Sequence, residues 1–473
     1  MVYLKREDLQ PVFSFKIRGA YNKISQLSRE QQAAGVVACS AGNHAQGVAL
    51  SAVHLGIDAV IVMPKGTPSI KVDGVRKFKG NVRLHGDNYD EAQAEAMRLV
   101  EVEGRTLVHP FDDPLVIAGQ GTIATEILKQ RTGKPLHAVF VCCGGGGMLA
   151  GIAAYIKRVR PGVMVIGVEA EDAAGMTLSL RNGKRTALDS VGLFADGAAV
   201  RLIGQETFRV CNELVDDMVT VSTDEICAAI KDGFMETRCV LEPAGALAIA
   251  GMKKWVGATN VRDQTLVGIA SGANMDFDRL RFVSERADSS ETMLSVQIPE
   301  QPGAFRSLIG LIEPRNVTEF SYRMEMGEQP QASIYLSFTA AGPSTDLRAA
   351  DAQSVLTSLR GAGYEVSDLR NNELAKSHLR HLGGGRASIP NEKLIRFEFP
   401  ERPGALSHFL DSLNAVGWNV SLFQYRNHGA DIGRVLAGLQ VPPEQAGTFA
   451  TFLDQVGYRY HLEDDNEVAK GFL

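Results

Sequence analysis

The chain has 473 residues, more than one hydrophobic core usually serves, so we expect two to four domains. Hydrophobic residues make up 45% and the formal net charge is −6, which gives no reason to expect a nucleic-acid partner or an anionic membrane surface. No apolar run is long enough to predict a membrane span. The six cysteines form no C-x-x-C motif, which favours buried thiols in a reducing cytoplasm over a disulfide framework or a zinc site.

Short β-branched runs alternate with longer amphipathic segments from residue 33 to about residue 274. The strand candidates are apolar throughout: Val36–Cys39, Ala59–Met63, His137–Cys142, Met164–Val168 and Leu266–Ala270. Continuous apolar strands are typical of sheets that helices cover on both faces, so the order predicts an α/β fold with an open, mostly parallel sheet. Ligands bind at the carboxyl ends of such strands, which is where we look for chemistry.

The segment Ser14-Phe15-Lys16-Ile17-Arg18-Gly19-Ala20 places a lysine between two apolar side chains, ahead of a predicted helix. A partly desolvated lysine has a lowered pKa and can form a Schiff base with an aldehyde. Surface cations are common, however, so Lys16 becomes a strong candidate only if other segments supply partners for the same ligand.

The segment Ser40-Ala41-Gly42-Asn43-His44-Ala45-Gln46-Gly47 is a small-residue turn between a predicted strand and a predicted helix. Backbone N–H groups at a helix start suit a carboxylate, and the Asn43 amide can hydrogen-bond a phenolic oxygen. A plain helix cap by Ser40 or Asn43 explains the same pattern. His44 fits a structural histidine as well as a participant.

Four glycines, Gly144 to Gly147, separate a strand from the helix that begins near Met148. Several N–H groups can point at one place there, and the helix start favours a phosphate. The spacing Gly145-x-Gly147-x-x-Ala150, with Glu169 ending the next strand, also fits a dinucleotide fingerprint, and a flexible turn explains it too. The loop lies deep in the domain rather than after its first strand, which counts against NAD.

The segment Ser271-Gly272-Ala273-Asn274 directly follows the strand Leu266–Ala270, where the Ser271 hydroxyl can face a ring nitrogen. Alone, the segment is also an ordinary turn. Together, the four segments supply an amine for an aldehyde, a phosphate cup, a carboxylate nest and a partner for a ring nitrogen.

A motif repeats after about residue 285. Residues 298–306 (IPEQPGAFR) return 101 residues later as 399–407 (FPERPGALS), and 318–323 (TEFSYR) returns 103 residues later as 421–426 (SLFQYR). The repeat predicts a duplicated small domain of strand, Pro-Gly turn, helix and further strands, a βαββ unit of the ferredoxin-like kind, with a linker at 383–388. A duplicated scaffold without a ligand is the alternative.

The four segments, in this order, resemble the threonine ammonia-lyases, or threonine dehydratases, which are tryptophan-synthase-β-like pyridoxal-phosphate enzymes of fold type II. The tail, with its paired Pro-Gly-Ala motifs and Asp368–Ala375, resembles the twin ACT-like regulatory domain of the biosynthetic form. The resemblance covers essentially the whole chain. It implies a catalytic domain over 1–288 and α+β regulatory domains over 292–382 and 388–473. Family members carry further structure before the segment Val2–Gln10, so we expect a truncated N-terminus.

The resemblance implies a role for each site residue. Lys16 carries pyridoxal 5'-phosphate as a Schiff base, Asn43 contacts its ring oxygen and Ser271 faces its pyridine nitrogen. The residues implied to hold the phosphate are Gly144, Gly145, Gly146, Gly147 and Met148, and those implied to receive the substrate carboxylate are Ser40, Ala41, Gly42 and Asn43. The implied reaction converts threonine, with serine as a secondary substrate, to 2-oxobutanoate and ammonia, the first step of isoleucine biosynthesis.

The resemblance also implies regulation and assembly. Isoleucine is expected to inhibit and valine to antagonise it, with Phe305, Tyr322 and Tyr425 at effector positions, although core packing explains the same residues. A cytoplasmic homotetramer is expected. Related racemases hold a divalent cation with a glutamate, an alanine four residues on and an aspartate two further; Glu169 and Ala173 fit that pattern but Gly175 does not, so no metal is expected.

Two other functions stay open on the sequence. One is an NAD-dependent oxidoreductase built on Gly145, Gly147 and Glu169, which NADH would stabilise and pyridoxal phosphate would not. The other is a catalytically impaired amino-acid sensor whose tail binds isoleucine. Effector binding without turnover would mark that second alternative.

Overall fold

The computed structural model describes residues 1–287, 291–299, 304–325, 331–342, 345–378, 389–400, 405–426 and 432–468. The chain divides into two compact units, Met1–Ala287 and Asp288–Leu473. The linker predicted at residues 383–388 lies outside the described residues.

The first unit alternates strands with helices along its whole length. Its strands are β1 (Val2–Arg6), β2 (Val36–Cys39), β3 (Ala59–Met63), β4 (Asn81–Leu84), β5 (Thr106–Leu107), β6 (Ala138–Cys142), β7 (Met164–Ala170), β8 (Asp217–Val221) and β9 (Leu266–Ala270). Its α-helices are α1 (Lys16–Ser25), α2 (Arg29–Ala34), α3 (Asn43–Leu55), α4 (Ser69–Lys77), α5 (Tyr89–Glu103), α6 (Pro114–Gln130), α7 (Gly147–Val159), α8 (Gly175–Asn182), α9 (Gln205–Leu214), α10 (Thr223–Thr237), α11 (Pro243–Thr259) and α12 (Arg279–Arg286).

The strands of this unit form two parallel sheets rather than one. The large-lobe sheet has the order β1-β9-β6-β7-β8 and the small-lobe sheet the order β4-β3-β2-β5. Every residue of β2, β3, β6 and β9 is buried, which confirms the predicted α/β class and its doubly covered strands. The division of the strands between two sheets is not specified by the sequence, because an apolar run shows that a strand is buried but not which strands are its neighbours.

The carboxyl ends of three strands carry the predicted chemistry. Ser40 follows β2 in the small lobe, while Gly144 and Ser271 follow β6 and β9, which are neighbours in the large-lobe sheet. Lys16 reaches the same edge because Ser14 forms an isolated bridge with Gly272 just before α1 begins. The fold therefore gathers segments from the two ends of the catalytic unit, such as those of Lys16 and Ser271, at one place.

The second unit contains two copies of one βαββαβ motif. The first copy comprises β10 (Glu291–Pro299), α13 (Ala304–Ile312), β11 (Val317–Glu325), β12 (Gln331–Thr339), α14 (Thr345–Gly361) and β13 (Glu365–Asp368), and a short helix, α15 (Glu373–Ser377), follows it. The second comprises β14 (Glu392–Pro400), α16 (Ala405–Val416), β15 (Asn419–Arg426), β16 (Ile432–Gln440), α17 (Phe449–Val456) and β17 (Arg459–Leu462). Their antiparallel sheets have equivalent orders, β11-β12-β10-β13 and β15-β16-β14-β17.

The predicted βαββ unit is therefore incomplete by one helix and one strand, because the repeated motifs do not extend into that part of each copy.

The second repeated block of sequence begins at an irregularity in the strand pairing of both copies. The register of β11 shifts between Val317 and Glu319, and that of β15 between Val420 and Leu422. The residue between them, Thr318 or Ser421, donates its hydroxyl to a glutamate at the start of the copy's first strand. The duplication thus preserves a polar contact as well as the fold.

Core packing in the first unit is testable at Phe140. Its side chain is completely buried in β6, and its ring meets Trp255 edge-on with centroids 5.5 Å apart. We expect Phe140→Ala to lower the free energy of unfolding by about 3–5 kcal/mol, since it leaves a cavity. Phe277→Ala removes the same atoms from a side chain that is 80% exposed, and we expect a loss below about 0.5 kcal/mol. Urea unfolding followed by circular dichroism measures both, and equal losses would contradict the core assigned here.

Candidate active site

Lys16 is a half-buried lysine at the start of α1. Its Nζ donates a hydrogen bond to the carbonyl oxygen of Pro110 at 3.0 Å and lies 5.3 Å from the centroid of the Phe15 ring. Burial lowers the pKa of Lys16 to about 8, although the nearby Cys142 and Glu242 side chains oppose the shift. The amine therefore becomes neutral at a much lower pH than that of an exposed lysine, as a nucleophilic or proton-accepting lysine requires.

The four-glycine loop is shaped by close packing. A Cβ on Gly145 would lie 2.2 Å from Cγ of Phe111, and Gly146 has a φ of +93°, which favours glycine. The Gly145 carbonyl oxygen accepts a hydrogen bond from Thr207 Oγ1 at 2.7 Å, which fixes the orientation of that peptide group. The backbone N–H groups of these glycines make no hydrogen bond to residues in the described ranges. Unpaired donors at the start of α7 are what a phosphate needs.

The turn after β2 places Asn43 as the first residue of α3. Among the described residues no side chain caps this helix, so the plain-cap alternative for Ser40 or Asn43 is wrong; Ser40 Oγ instead accepts from the N–H of Gly42 at 3.3 Å. Asn43 Nδ2 donates to Glu242 Oε1 at 2.6 Å, and Asn43 Oδ1 accepts from Asn274 Nδ2 at 2.7 Å. Because no side chain takes them, the N–H groups at the start of α3 remain available for a carboxylate.

His44 belongs to the support of the site rather than to its chemistry. The side chain is buried, and Nε2 lies 2.7 Å from the Val108 carbonyl oxygen. Burial, together with the charge of Lys16, lowers the pKa of His44 to about 3. The ring is therefore neutral at physiological pH and donates Nε2–H to that carbonyl.

Ser271 is buried at the end of β9. Its Oγ lies 3.3 Å from the carbonyl oxygen of Ala244, which is long for a hydroxyl hydrogen bond, and 3.3 Å from Cys142 Sγ, a weak hydrogen-bonding atom. Its backbone oxygen accepts from the N–H of Phe15 at 3.1 Å, which fixes the residue before Lys16. The hydroxyl can exchange these weak contacts for a ring nitrogen.

Glu242 was missed by the sequence reasoning. It precedes Pro243 at the start of α11, where a glutamate looks like an ordinary helix-start residue. The side chain is buried, and burial and then the charge of Asp196 raise the pKa of Glu242 to about 7. Its partner Asn43 is 199 residues away in the chain, so no local spacing could have revealed the contact.

Glu169 binds the start of a helix inside the large lobe. Its buried carboxylate accepts from the N–H groups of Met176 and Thr177, both at 2.8 Å, and from Thr177 Oγ1 at 2.7 Å. The group that the NAD alternative assigns to a ribose is thus committed to α8. Within the described ranges, no cluster of three or more His, Cys, Asp or Glu side chains could hold a metal ion.

For the three predicted effector residues, the structure describes the backbone alone. Phe305 lies in α13, Tyr322 in β11 and Tyr425 in β15, but their side chains lie outside the described residues. Their role in effector binding stays a prediction.

Comparison with known proteins decides the family. Residues 1–272 match the family described as pyridoxal-phosphate dependent enzyme, and residues 284–379 and 383–473 match the C-terminal regulatory domain of threonine dehydratase. The chain belongs to the threonine dehydratase family. It is 54% identical to mitochondrial threonine dehydratase of Saccharomyces cerevisiae, over 100% of this chain and 83% of that protein. It is 52% identical to biosynthetic L-threonine dehydratase IlvA of Burkholderia multivorans, over 100% of this chain and 92% of that protein.

Solved structures agree. The processed form of threonine deaminase isoform 2 from Solanum lycopersicum is 53% identical, with a TM-score of 0.60 over 61% of this chain and 83% of that chain. Serine racemase from Dictyostelium discoideum is 30% identical, with a TM-score of 0.54 over 58% of this chain and 88% of that chain. The cofactor of the family is pyridoxal phosphate, and the NAD alternative is wrong.

The residues present fit this cofactor. The glycine N–H groups and the start of α7 suit its phosphate, and the Lys16 amine suits its aldehyde. Asn43 keeps one amide hydrogen for the ring oxygen, since Nδ2 carries two and only one goes to Glu242. Ser271 offers a neutral hydroxyl to the ring nitrogen.

The tight packing of the loop gives a test of the phosphate cup. Gly145→Ala drives a methyl group into the Phe111 ring, so the loop must move and we expect at least about a tenfold weaker binding of pyridoxal phosphate. Gly162→Ala is the matched control, because a Cβ there meets nothing within 4 Å. Fluorescence titration of the cofactor-free chain measures both affinities. Equal affinities in the two variants would show that the loop does not hold the phosphate.

Proposed function

We propose that this chain is a threonine ammonia-lyase that uses pyridoxal phosphate to convert threonine to 2-oxobutanoate and ammonia, the first step of isoleucine biosynthesis. One observation carries the proposal: the half-buried Lys16 amine shares a sheet edge with a glycine loop whose N–H groups have no partner among the described residues. Relatives that match the whole chain at about half identity are named threonine dehydratases, which supports threonine as the substrate.

Each residue of the site has its own role in the proposed reaction. Bound pyridoxal phosphate supplies a sink for the electrons left at the substrate α-carbon. Lys16 Nζ, whose pKa burial lowers to about 8, takes the α-proton in its neutral form. The turn Ser40–Asn43 binds the substrate carboxylate with N–H groups at the start of α3. Ser271 is a neutral hydroxyl and does not hold the ring nitrogen protonated, so the sink is weak and loss of the β-hydroxyl is favoured over transamination.

Threonine is the proposed main substrate and serine a secondary one. The two differ by one methyl group, which an apolar pocket distinguishes by only about 1–3 kcal/mol. A preference for threonine of roughly tenfold to a hundredfold follows from that difference.

The second unit is proposed to regulate the first. Its two βαββαβ copies match the regulatory domain of threonine dehydratase, and we propose isoleucine as inhibitor and valine as antagonist, bound near Phe305, Tyr322 and Tyr425. Regulation requires that each effector bind two states of the enzyme with different affinity.

We also propose that the chain acts as a cytoplasmic homotetramer. The six cysteines are free thiols and five are buried, which suits a reducing compartment. Among the described helices, none combines the length and the apolar composition that crossing a bilayer requires. Relatives from Saccharomyces cerevisiae and Solanum lycopersicum are named mitochondrial and chloroplastic, so fractionation of cells that express the chain decides its location.

Turnover tests the proposed activity directly. We expect the full chain with pyridoxal phosphate to form 2-oxobutanoate from threonine, and Lys16→Ala to reduce kcat by at least about a thousandfold, since the proton acceptor is lost. Lys129→Ala removes an exposed lysine of α6 and should leave kcat unchanged. Isoleucine should suppress turnover by the unsubstituted chain. Isoleucine binding without any turnover would instead identify an amino-acid sensor.

The lowered pKa of Lys16 predicts the pH dependence of kcat. The amine accepts a proton only when neutral, so kcat should rise with pH up to the pKa of about 8 and level off above it. Steady-state rates at saturating threonine, measured from about pH 6 to pH 10, give the profile. A kcat that falls over this range would contradict Lys16 as the base.

A further inference from the structure

Glu242 is a buried carboxylate that the proposed mechanism does not yet use. Its Oε1 accepts from Asn43 Nδ2 at 2.6 Å, while Lys71 and Arg279, the cations whose charges act on Glu242, each form an ion pair with Asp196. Gly272 makes room for the carboxylate, since a Cβ there would lie 2.2 Å from Oε1. A buried carboxylate whose hydrogen-bond partner is a neutral amide is costly, and such groups are typical of functional sites.

The carboxylate determines which way the Asn43 amide points. A carboxylate only accepts hydrogen bonds, so it selects the Nδ2 side of Asn43. Asn274 Nδ2 donates to Asn43 Oδ1 at 2.7 Å and holds the other side. Asn274 is held in turn, because the same nitrogen donates to the Val12 carbonyl oxygen at 2.8 Å. The second hydrogen on Asn43 Nδ2 is left for the cofactor.

Glu242 also acts on Lys16 through its charge. The carboxylate raises the pKa of Lys16 and so opposes part of the effect of burial. Burial raises the pKa of Glu242 itself to about 7, so the charge is present above that pH and is lost as the pH falls through it. Other charged or titratable side chains also act on Lys16 or Glu242. They are Cys142 of β6, Asp196 of the short 3-10 helix Asp196–Ala198, Arg279 of α12 and Lys71 of α4.

We propose that Glu242 is a positioning residue for the cofactor: it aims an amide hydrogen of Asn43 at the ring oxygen, and its negative charge keeps a proton on the nitrogen that Lys16 contributes. This inference rests on the proposed function, because it needs the cofactor to be attached at Lys16. It extends that function by assigning the protonation of the attached nitrogen to a residue that does not touch the substrate.

The test is the absorbance of the cofactor bound to the full chain, recorded against pH without threonine. Glu242→Gln keeps the shape and an acceptor atom but removes the charge. Its titration midpoint should fall by about one pH unit, since the nitrogen loses a nearby negative charge. Glu242→Asp shortens the side chain by one methylene, which moves the charge away from the nitrogen, so the titration midpoint should fall by less. Glu236→Gln makes the same chemical change at an exposed position of α10 and should leave the midpoint unchanged.

The order of the midpoints decides the inference. The inference is supported if the midpoint is highest in the unsubstituted chain, lower in Glu242→Asp and lowest in Glu242→Gln. A Glu242→Gln midpoint equal to that of the unsubstituted chain overturns it. Should thermal melts show that Glu242→Gln does not fold, Glu242→Asp decides alone, and an unchanged midpoint in that variant overturns the inference. Kinetics add a second readout: kcat should fall by about tenfold while the KM for threonine changes little.

The two proposals fail separately. The titration uses no substrate, so a chain that binds the cofactor but does not turn over threonine fails the proposed function and still reports on Glu242. A chain that turns over threonine and shows no midpoint shift in either Glu242 variant keeps the proposed function and loses this inference.

Discussion

Burial of the Lys16 amine is the constraint on which the site depends. An amine removed from water becomes neutral near pH 8, and only a neutral amine can attack an aldehyde or accept a proton. Burial alone would make the nitrogen a weak base, and the Glu242 carboxylate offsets part of that effect. Two contacts hold Lys16 in this environment. The Ser14–Gly272 bridge fixes the chain just before α1, and the Pro110 carbonyl oxygen accepts a hydrogen bond from the amine.

The second constraint is that the two lobes of the catalytic unit meet at the site. Asn43 comes from the small lobe, and its amide is held by Glu242 and Asn274 of the large lobe. Lys71 of α4 pairs with Asp196 at 3.2 Å, which adds an ionic contact beside this hydrogen-bonded chain. The position of Asn43 therefore depends on side chains from both lobes.

Much of the fold and the positions of the site segments could be predicted from the sequence. Strands such as β3 and β6 are apolar throughout because helices cover both faces, and the Lys16, Ser40, Gly144 and Ser271 segments stand out because each departs from that pattern at a strand or helix end. The division into two sheets could not be predicted, since strand pairing is a tertiary property. Glu242 could not be predicted either, because its meaning comes from a contact with Asn43 that only the folded chain creates.

The most direct test of the account is to locate the cofactor on the chain. The full chain is incubated with pyridoxal phosphate, reduced with borohydride and digested, and the peptide that carries the added mass is identified by mass spectrometry. We expect the reduced cofactor on Lys16, in the peptide that contains Phe15 and Ile17. Attachment at a different lysine, or a chain that takes up no cofactor, would show that the Lys16 amine is not the reactive group.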